Sequence, residues 1–124
     1  MEFALVAPIF FTLILGIMMF SRGYQRLNAL NSALREGART ASVLSNPGTS
    51  RDSVTIRMRQ FSSSFGFAID TSLVTITPGT FTATTTTVTV GVANYALFAG
   101  LNFLGLLQNI RVTRSASFRW EYGP

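Results

Sequence analysis

Cysteine and histidine are both absent from this sequence, and all of its ten basic residues are arginine. Without cysteine, the chain has neither disulfides nor thiol chemistry. This leaves its compartment open, because an oxidising environment permits disulfides without requiring them. Without histidine, it lacks the most common metal ligand and acid–base group of proteins. Both absences disfavour catalysis and metal binding.

Acidic residues are also few, with five Asp and Glu in 124 residues. None of these carboxylates lies close to another along the chain, and no glycine-rich phosphate-binding loop occurs. A nucleophile paired with a base, or a cluster of metal ligands, is therefore hard to build. We expect that the protein is not an enzyme and holds no cofactor and no metal ion.

The arginines give the chain a net charge of +5, which raises the question of nucleic-acid binding. They are scattered along the sequence rather than gathered into a stripe, and no aromatic base-stacking motif accompanies them. Nucleic acid is therefore not an expected partner. We interpret most of the arginines as solvated, or as partners of acidic residues on neighbouring subunits.

The most informative feature present is an uncharged apolar run, Phe3–Phe20, which directly follows the carboxylate of Glu2. As a helix the run spans about 27 Å, close to the roughly 30 Å of a bilayer core. A secretory signal peptide would carry positive charge before its apolar stretch and a small-residue cleavage site after it. Neither is seen, so the run predicts a helix that lies in a membrane or in an assembly that replaces one.

Helical periodicity continues beyond the apolar run, with apolar or small residues at heptad spacing: Leu27, Leu30, Leu34, Gly37, Ala41 and Leu44. A second row of small residues, four apart, predicts close packing of this helix against a sheet: Ala29, Ala33, Gly37 and Ala41. One helix is thus predicted over residues 1–46, apolar all round at 3–20 and amphipathic at 24–45. It should end near Ser45–Gly48, because Pro47 forbids its continuation.

The remaining residues, 47–124, are predicted to form a small globular head. N-cap residues at 50–53 and helical spacing after them predict a short helix to about Ser64. Residues 73–77, 84–92 and 110–121 favour strands, and the last of these alternates apolar with polar residues except at Arg114. The predicted fold class is α+β, pilin-like in outline: a long N-terminal α-helix with an apolar first half, a short second helix and a small three-stranded antiparallel sheet packed on the long helix.

One connection, residues 95–107, is too apolar for an ordinary surface loop. It either folds over the edge of the sheet to complete the core or docks on a neighbouring subunit. In the second case, the candidate intersubunit contacts are Leu97, Phe98, Phe103 and Leu104.

The order of these parts, an apolar rod behind an acidic residue and then a small antiparallel sheet, resembles that of type IV pilins. Three segments are more specific: MEFALVAP at residues 1–8, ALREGAR at 33–39 and the terminal strand around 115–119. Together they closely resemble the TadE-like pseudopilins of tight-adherence pilus systems. The resemblance covers nearly the whole chain, and its most specific part is the start joined to the Arg-Glu-Gly-Ala-Arg segment.

The start of the sequence departs from that family in one respect. Family precursors carry a basic leader ending in glycine, and the processed chain usually has its glutamate at the fifth position, whereas here it is the second. The sequence is either a mature form with another cleavage point or begins after the family's first residues. Arg22 and Arg26 alone would favour a cytoplasmic location for the end of the apolar run, and a basic leader would oppose them.

The resemblance implies a structural subunit of a type IV pilus-like filament, assembled through its apolar helices. It implies that Glu2 pairs with the N-terminal amine of an adjacent subunit; the alternative is an acid favoured by the helix dipole at headgroup level. Pro8 removes a helical hydrogen bond, which would let the rod extend in a filament or is simply tolerated in a membrane helix. The residues expected in subunit assembly are Glu2, Phe3, Pro8, Phe10, Phe11, Leu13, Gly16 and Phe20.

The implied partners are copies of the chain in a helical homopolymer, or other pilins, with the inner membrane before assembly. The pilus assembly machinery and a prepilin peptidase are implied as well. The expected location is the extracellular pilus or cell surface, after a membrane-inserted precursor stage. Two other functions stay open: a minor pseudopilin that initiates or caps a pilus made of another pilin, and a single-pass membrane-anchored extracytoplasmic binding module.

Overall fold

The fold is a long helix that carries a second helix and a small sheet on its C-terminal half. The computed structural model describes residues 2–47, 49–78, 87–98 and 110–121. Along the chain come α1 (Glu2–Ser42), α2 (Arg51–Ser64), a 3₁₀ turn (Thr71–Leu73) and the strands β1 (Val74–Pro78), β2 (Thr87–Ala96) and β3 (Arg111–Arg119). The predicted α+β class is confirmed, with two helices and a three-stranded antiparallel sheet in these residues.

The long helix ends at Ser42, a few residues before the end expected from Pro47. The last carbonyls of a helix lack partners within it and need donors from elsewhere. Here the Ser42 carbonyl accepts a hydrogen bond from the backbone N–H of Glu121, after β3, at 3.0 Å. Just beyond the helix end, the Trp120 indole N–H donates to the Leu44 carbonyl at 2.8 Å. The end of the sheet therefore caps α1, a long-range contact that local sequence signals do not reveal.

The second helix returns antiparallel to α1 and packs closely on it. Met58 and Val54 are buried, and they are the side chains that a Cβ atom at Gly37 would meet. Ser50 lies at the N-cap position, but its side chain makes no capping hydrogen bond. Packing against α1, rather than capping, is thus what holds α2 in place.

The sheet has the order β1-β2-β3, with β2 in the centre. Val88, Val90 and Val92 alternate with less buried residues along β2 and are completely buried. The edge strand β3 is covered less well, because Ile110 and Phe118 of its apolar face stay exposed. Alternation predicted the inward face of the strands, but not how incompletely an edge position would be covered.

A bulge in β2 changes which of its residues face the core. Val92 pairs with Arg114 and Tyr95 pairs with Val112, so that two residues of β2 lie opposite Thr113 alone. Asn94 takes a positive φ of 57° there, a conformation that asparagine tolerates better than most residues. The bulge shifts the alternation by one residue and returns Tyr95 to the buried face. The prediction that this strand ends at Val92 is therefore wrong.

The core lies between the sheet, α2 and the second half of α1. Its most N-terminal member in α1 is Ala29, which is followed by Leu30, Ala33, Leu34, Ala38 and Ala41. None of the residues Phe3–Phe20 belongs to this cluster. The helix is thus divided at about residue 22 into a half that the head covers and a half that it leaves bare.

Candidate assembly surface and its junction with the head

The first half of α1 presents a continuous apolar surface to solvent. Phe3 is 84% exposed and Phe20 is 70% exposed. Most of the large apolar residues between them are exposed as well: Leu5, Val6, Ile9, Phe10, Phe11, Leu13, Leu15, Ile17 and Met18. Of the most apolar 18-residue stretch of α1, only 6% is buried. In the described part of the chain, α1 is the one helix long and apolar enough to cross a membrane. We call the exposed residues Phe3–Phe20 the apolar half.

Two small features interrupt this apolar half. Pro8 lies inside the helix, and its carbonyl accepts a hydrogen bond from the Thr12 hydroxyl at 2.7 Å. Because proline has no N–H, the Ala4 carbonyl loses its helical partner at the same turn. Gly16 faces open space, since a Cβ atom there would meet nothing within 4 Å. Glu2 is the first residue of α1, so every residue predicted for subunit assembly lies on this half of the helix.

The small residues predicted to pack against the sheet lie on the covered half of α1. Ala29, Ala33 and Ala41 belong to the core cluster that α1, α2 and the sheet form together. Gly37 faces α2, where its missing Cβ would lie 2.7 Å from Cγ and Sδ of Met58. Packing of the three alanines against the sheet stays a prediction.

The segment directly after β2 packs on α1 near Gly23, where the apolar half of the helix meets the half that carries the head. Leu97 and Phe98 are buried, and the Phe98 ring lies so close to the α1 backbone that a Cβ atom at Gly23 would collide with it. These two residues pack within their own chain, and their role as intersubunit contacts stays a prediction. Phe103 and Leu104, the other two candidates, lie outside the described residues.

Arg26 ties α1 to the same segment. Its guanidinium Nη1 donates to the Leu97 carbonyl at 3.3 Å. Burial raises the pKa of Tyr95 above that of a free phenol, and the positive charge of Arg26 partly lowers it again. Tyr95 also packs edge-on against Phe67, with ring centroids 6.4 Å apart. The bulge in β2, which places Tyr95 here, is the signal that sequence reasoning missed, although Asn94 is a residue type that favours such a backbone.

A cleft of about 440 Å³ opens on α1 directly after the apolar half. One wall is a single face of α1, and the other is the turn after α2 at residues 65–67. That turn is set by Gly66 at a φ of 74°, with Phe67 buried and Phe65 exposed on either side of it. The cleft is lined by Arg22, Gln25, Arg26, Asn28, Ala29, Ser32, Phe65, Gly66 and Phe67. It is basic, since these lining residues include two arginines and no acid.

In the described part of the chain, no group of three or more His, Cys, Asp or Glu residues gathers where it would hold a metal ion. The five carboxylates of the sequence are spread between Glu2 and Glu121. The surfaces that stand out are therefore the apolar half of α1 and the basic cleft beside it.

The comparison with known proteins concerns this same helix. No curated protein and no solved structure matches the chain. A family model described as TadE-like protein matches residues 1–39, which include the whole apolar half and the first turns under the head. The family suggests involvement in tight-adherence pilus systems and is typically non-enzymatic, and together with the apolar helix it is consistent with a membrane-anchored, surface location. Over residues 1–39 the chain is thus similar to TadE-like proteins, the family that its sequence resembles.

Proposed function

We propose that this chain is a structural subunit of a type IV pilus-like filament of the tight-adherence class. The observation that carries the proposal is the apolar half of α1, in which every large apolar residue from Phe3 to Phe20 is exposed except Ile14, which is partly buried, and Met19, which is buried. A contiguous apolar surface of this length needs a bilayer or other apolar surfaces around it. A membrane provides that cover before assembly, and the apolar halves of neighbouring subunits provide it in the filament.

The separation of α1 into an apolar half and a half that carries the head supports a role in assembly as well as in membrane anchoring. Among the described residues, the core of the head is built on the second half of the helix and includes no residue of Phe3–Phe20. Gly16 leaves an open position where the backbone of another helix can approach closely. The family match runs from residue 1 to residue 39, so it includes the apolar half and most of the half on which the head is built.

The test is to shear producing cells, pellet the surface filaments and quantify this chain against every other small protein in the pellet. A filament subunit dominates the pellet at near-stoichiometric abundance. A trace amount beside an abundant shorter pilin, with most of the chain left in the membrane, would instead assign it as a minor pseudopilin that initiates or caps assembly. Its absence from the pellet, together with a stable membrane fraction, would favour an anchored binding module and reject the filament proposal.

A further inference from the structure

The end of the basic cleft that is formed by Arg22 lies at the level where a bilayer changes from hydrocarbon to headgroups. At about 1.5 Å per residue, Arg22 lies about 3 Å and Arg26 about 9 Å beyond Phe20, the last residue of the apolar half. The headgroup layer of a bilayer is roughly 5–8 Å thick on each side of its core. When the apolar half spans the membrane, Arg22 therefore lies among the lipid headgroups and Arg26 lies at their outer edge, where its long side chain can still reach a phosphate. Exposed Tyr24 lies between them, at a level where tyrosine is common.

The chemistry of the cleft matches a phosphate group. Arg22 and Arg26 are one helical turn apart and point to the same side of α1, and Gln25, Asn28 and Ser32 add neutral polar groups to that side. Guanidinium groups bind phosphate oxygens with short, charge-assisted hydrogen bonds. The opposite wall bears Phe65, whose exposed ring offers an apolar contact beside the polar groups.

We propose that this cleft binds the phosphate of an anionic phospholipid headgroup while the chain is in the membrane. The cleft is open in the structure and contiguous with the apolar half, so that a lipid whose chains pack along residues 3–20 can place its headgroup between α1 and the 65–67 turn. The inference rests on the membrane-inserted stage of the proposed function. It adds a lipid preference that the apolar helix alone does not produce, because hydrocarbon contacts do not distinguish one headgroup from another.

The test uses the full chain in vesicles of phosphatidylcholine that contain a minor fraction of phosphatidylglycerol. Spin-labelled versions of the two lipids report the fraction of each that the protein immobilises. We expect a preference for phosphatidylglycerol that Arg22→Gln lowers about fivefold, the factor that corresponds to the loss of one arginine near an anionic surface. Arg22 is the first variant to make, because Arg26 also holds the Leu97 carbonyl.

Two variants separate binding in the cleft from general attraction of charge. Arg35→Gln removes an exposed arginine of the same helix about 22 Å beyond Phe20, more than two Debye lengths away at physiological salt, and should leave the preference unchanged. Ser32→Phe fills the cleft at an exposed position without changing any charge and should abolish the preference. A preference that survives Ser32→Phe would overturn the cleft as its source.

Two further outcomes would also overturn the inference. If the chain inserts, as shown by resistance to alkaline extraction, but immobilises both lipids equally, the cleft has no lipid role and the proposed filament function is untouched. If inorganic phosphate added at constant ionic strength removes the preference, the inference is supported, because free phosphate then competes with the lipid phosphate for the same arginines. A chain that fails to insert at all would contradict the membrane stage itself, and with it both proposals.

Discussion

Glu2 is the residue at which the filament proposal is most sharply tested. It begins α1 directly before the exposed apolar half. A carboxylate drawn into hydrocarbon costs on the order of 3 kcal/mol at a helix centre and less near an end, so it should acquire a partner when subunits pack. We therefore expect Glu2→Ala to leave the protein in the membrane but to abolish assembly, measured as filament yield in the sheared fraction.

Glu2→Gln is the matched variant, because it keeps the size and hydrogen-bonding capacity of the side chain and removes only its charge. If the charge aligns each incoming subunit, Glu2→Gln should be as defective as Glu2→Ala. Normal filament yield from both variants would reject the alignment role.

Gly37 is a glycine that close packing requires. A Cβ atom there would lie 2.7 Å from Cγ and Sδ of buried Met58. Overpacking of this kind costs about 1–3 kcal/mol, which outweighs the roughly 1 kcal/mol that alanine gains over glycine in a helix. Gly37→Ala should therefore lower the free energy of unfolding of the head, measured by urea titration of the full chain in detergent micelles.

Gly16→Ala is the control for this experiment, since a Cβ atom at Gly16 meets nothing within 4 Å. It should leave the urea midpoint of the head unchanged. Equal midpoints for Gly37→Ala and Gly16→Ala would show that the contact between α1 and α2 has more room than the structure indicates.

Tyr95 makes the head sensitive to alkaline pH. Burial raises the pKa of its phenol, and Arg26 only partly offsets this. A raised pKa in the folded state means that the stabilisation is fully present below the unfolded value of about 10 and is lost as the pH rises through the folded value. We expect the free energy of unfolding to fall above about pH 10, and to fall less steeply in Tyr95→Phe.

The measurement is a series of urea titrations across that range of pH. Tyr24→Phe, which changes an exposed ring on α1, is the control. Its free energy of unfolding should decrease with rising pH as that of the unmodified chain does. If the free energy of unfolding decreases equally steeply with pH in Tyr95→Phe and in the unmodified chain, Tyr95 is not the group responsible.

At the scale of whole elements, α1 is one continuous helix whose two halves have different surroundings. Its second half supplies the core from Ala29 onward, and its first half stays apolar and exposed. If bare halves pack against each other in a filament, a large side chain at an open small position should disturb that packing without disturbing the subunit. Gly16→Phe is such a change, and it also keeps the run apolar enough to insert.

We expect Gly16→Phe to reach the membrane at the normal level and to reduce filament yield strongly, because a phenyl ring would hold neighbouring backbones apart. Leu15→Phe enlarges an exposed residue beside it by much less and serves as the comparison. Both amounts are read from membrane and sheared fractions of the same cells. Normal filaments from Gly16→Phe would place Gly16 away from any helix contact.

Most elements could be predicted because their signals are local. The helical spacing from Val54 to Phe61 lies within α2, and most of the alternation predicted for residues 110–121 lies within β3. The exception is the end of β2. There the bulge at Asn94 breaks the alternation, so that Tyr95 and Ala96 read as the start of an apolar loop when they are the end of a strand.

Contacts between elements could not be predicted in the same way. The sequence shows that Gly37 lies in a row of small residues, but not that Met58 of α2 packs directly on it. The capping of α1 by Trp120 and Glu121 joins residues about 80 positions apart, and no local pattern encodes such a pairing.

For the molecule as a whole, the arrangement predicts that the head folds without the apolar half. The described core cluster begins at Ala29 and includes no residue of Phe3–Phe20. A chain that begins at Ser21 should therefore stay in solution as a monomer without detergent and unfold in one cooperative transition, because a domain of about 100 residues buries enough surface to be stable.

The full chain is the reference and should associate when detergent is removed, since its apolar half then has no other cover. Analytical ultracentrifugation and thermal unfolding measure the two properties. A truncated chain that is unfolded, or that associates as the full chain does, would show that the first half of α1 contributes to the fold of the head.

The sequence by itself determined the rod, its division into an apolar and an amphipathic half, the class of the fold and the resemblance to TadE-like proteins, because periodicity, composition and short motifs are local properties. Only the tertiary structure decided that Phe98 closes on Gly23, that the bulge returns Tyr95 to the core and that α1 and the 65–67 turn enclose a basic cleft. These features depend on which surfaces meet. That choice is made by the packing of distant segments, where a shift of one residue in a strand or one turn in a helix changes every partner.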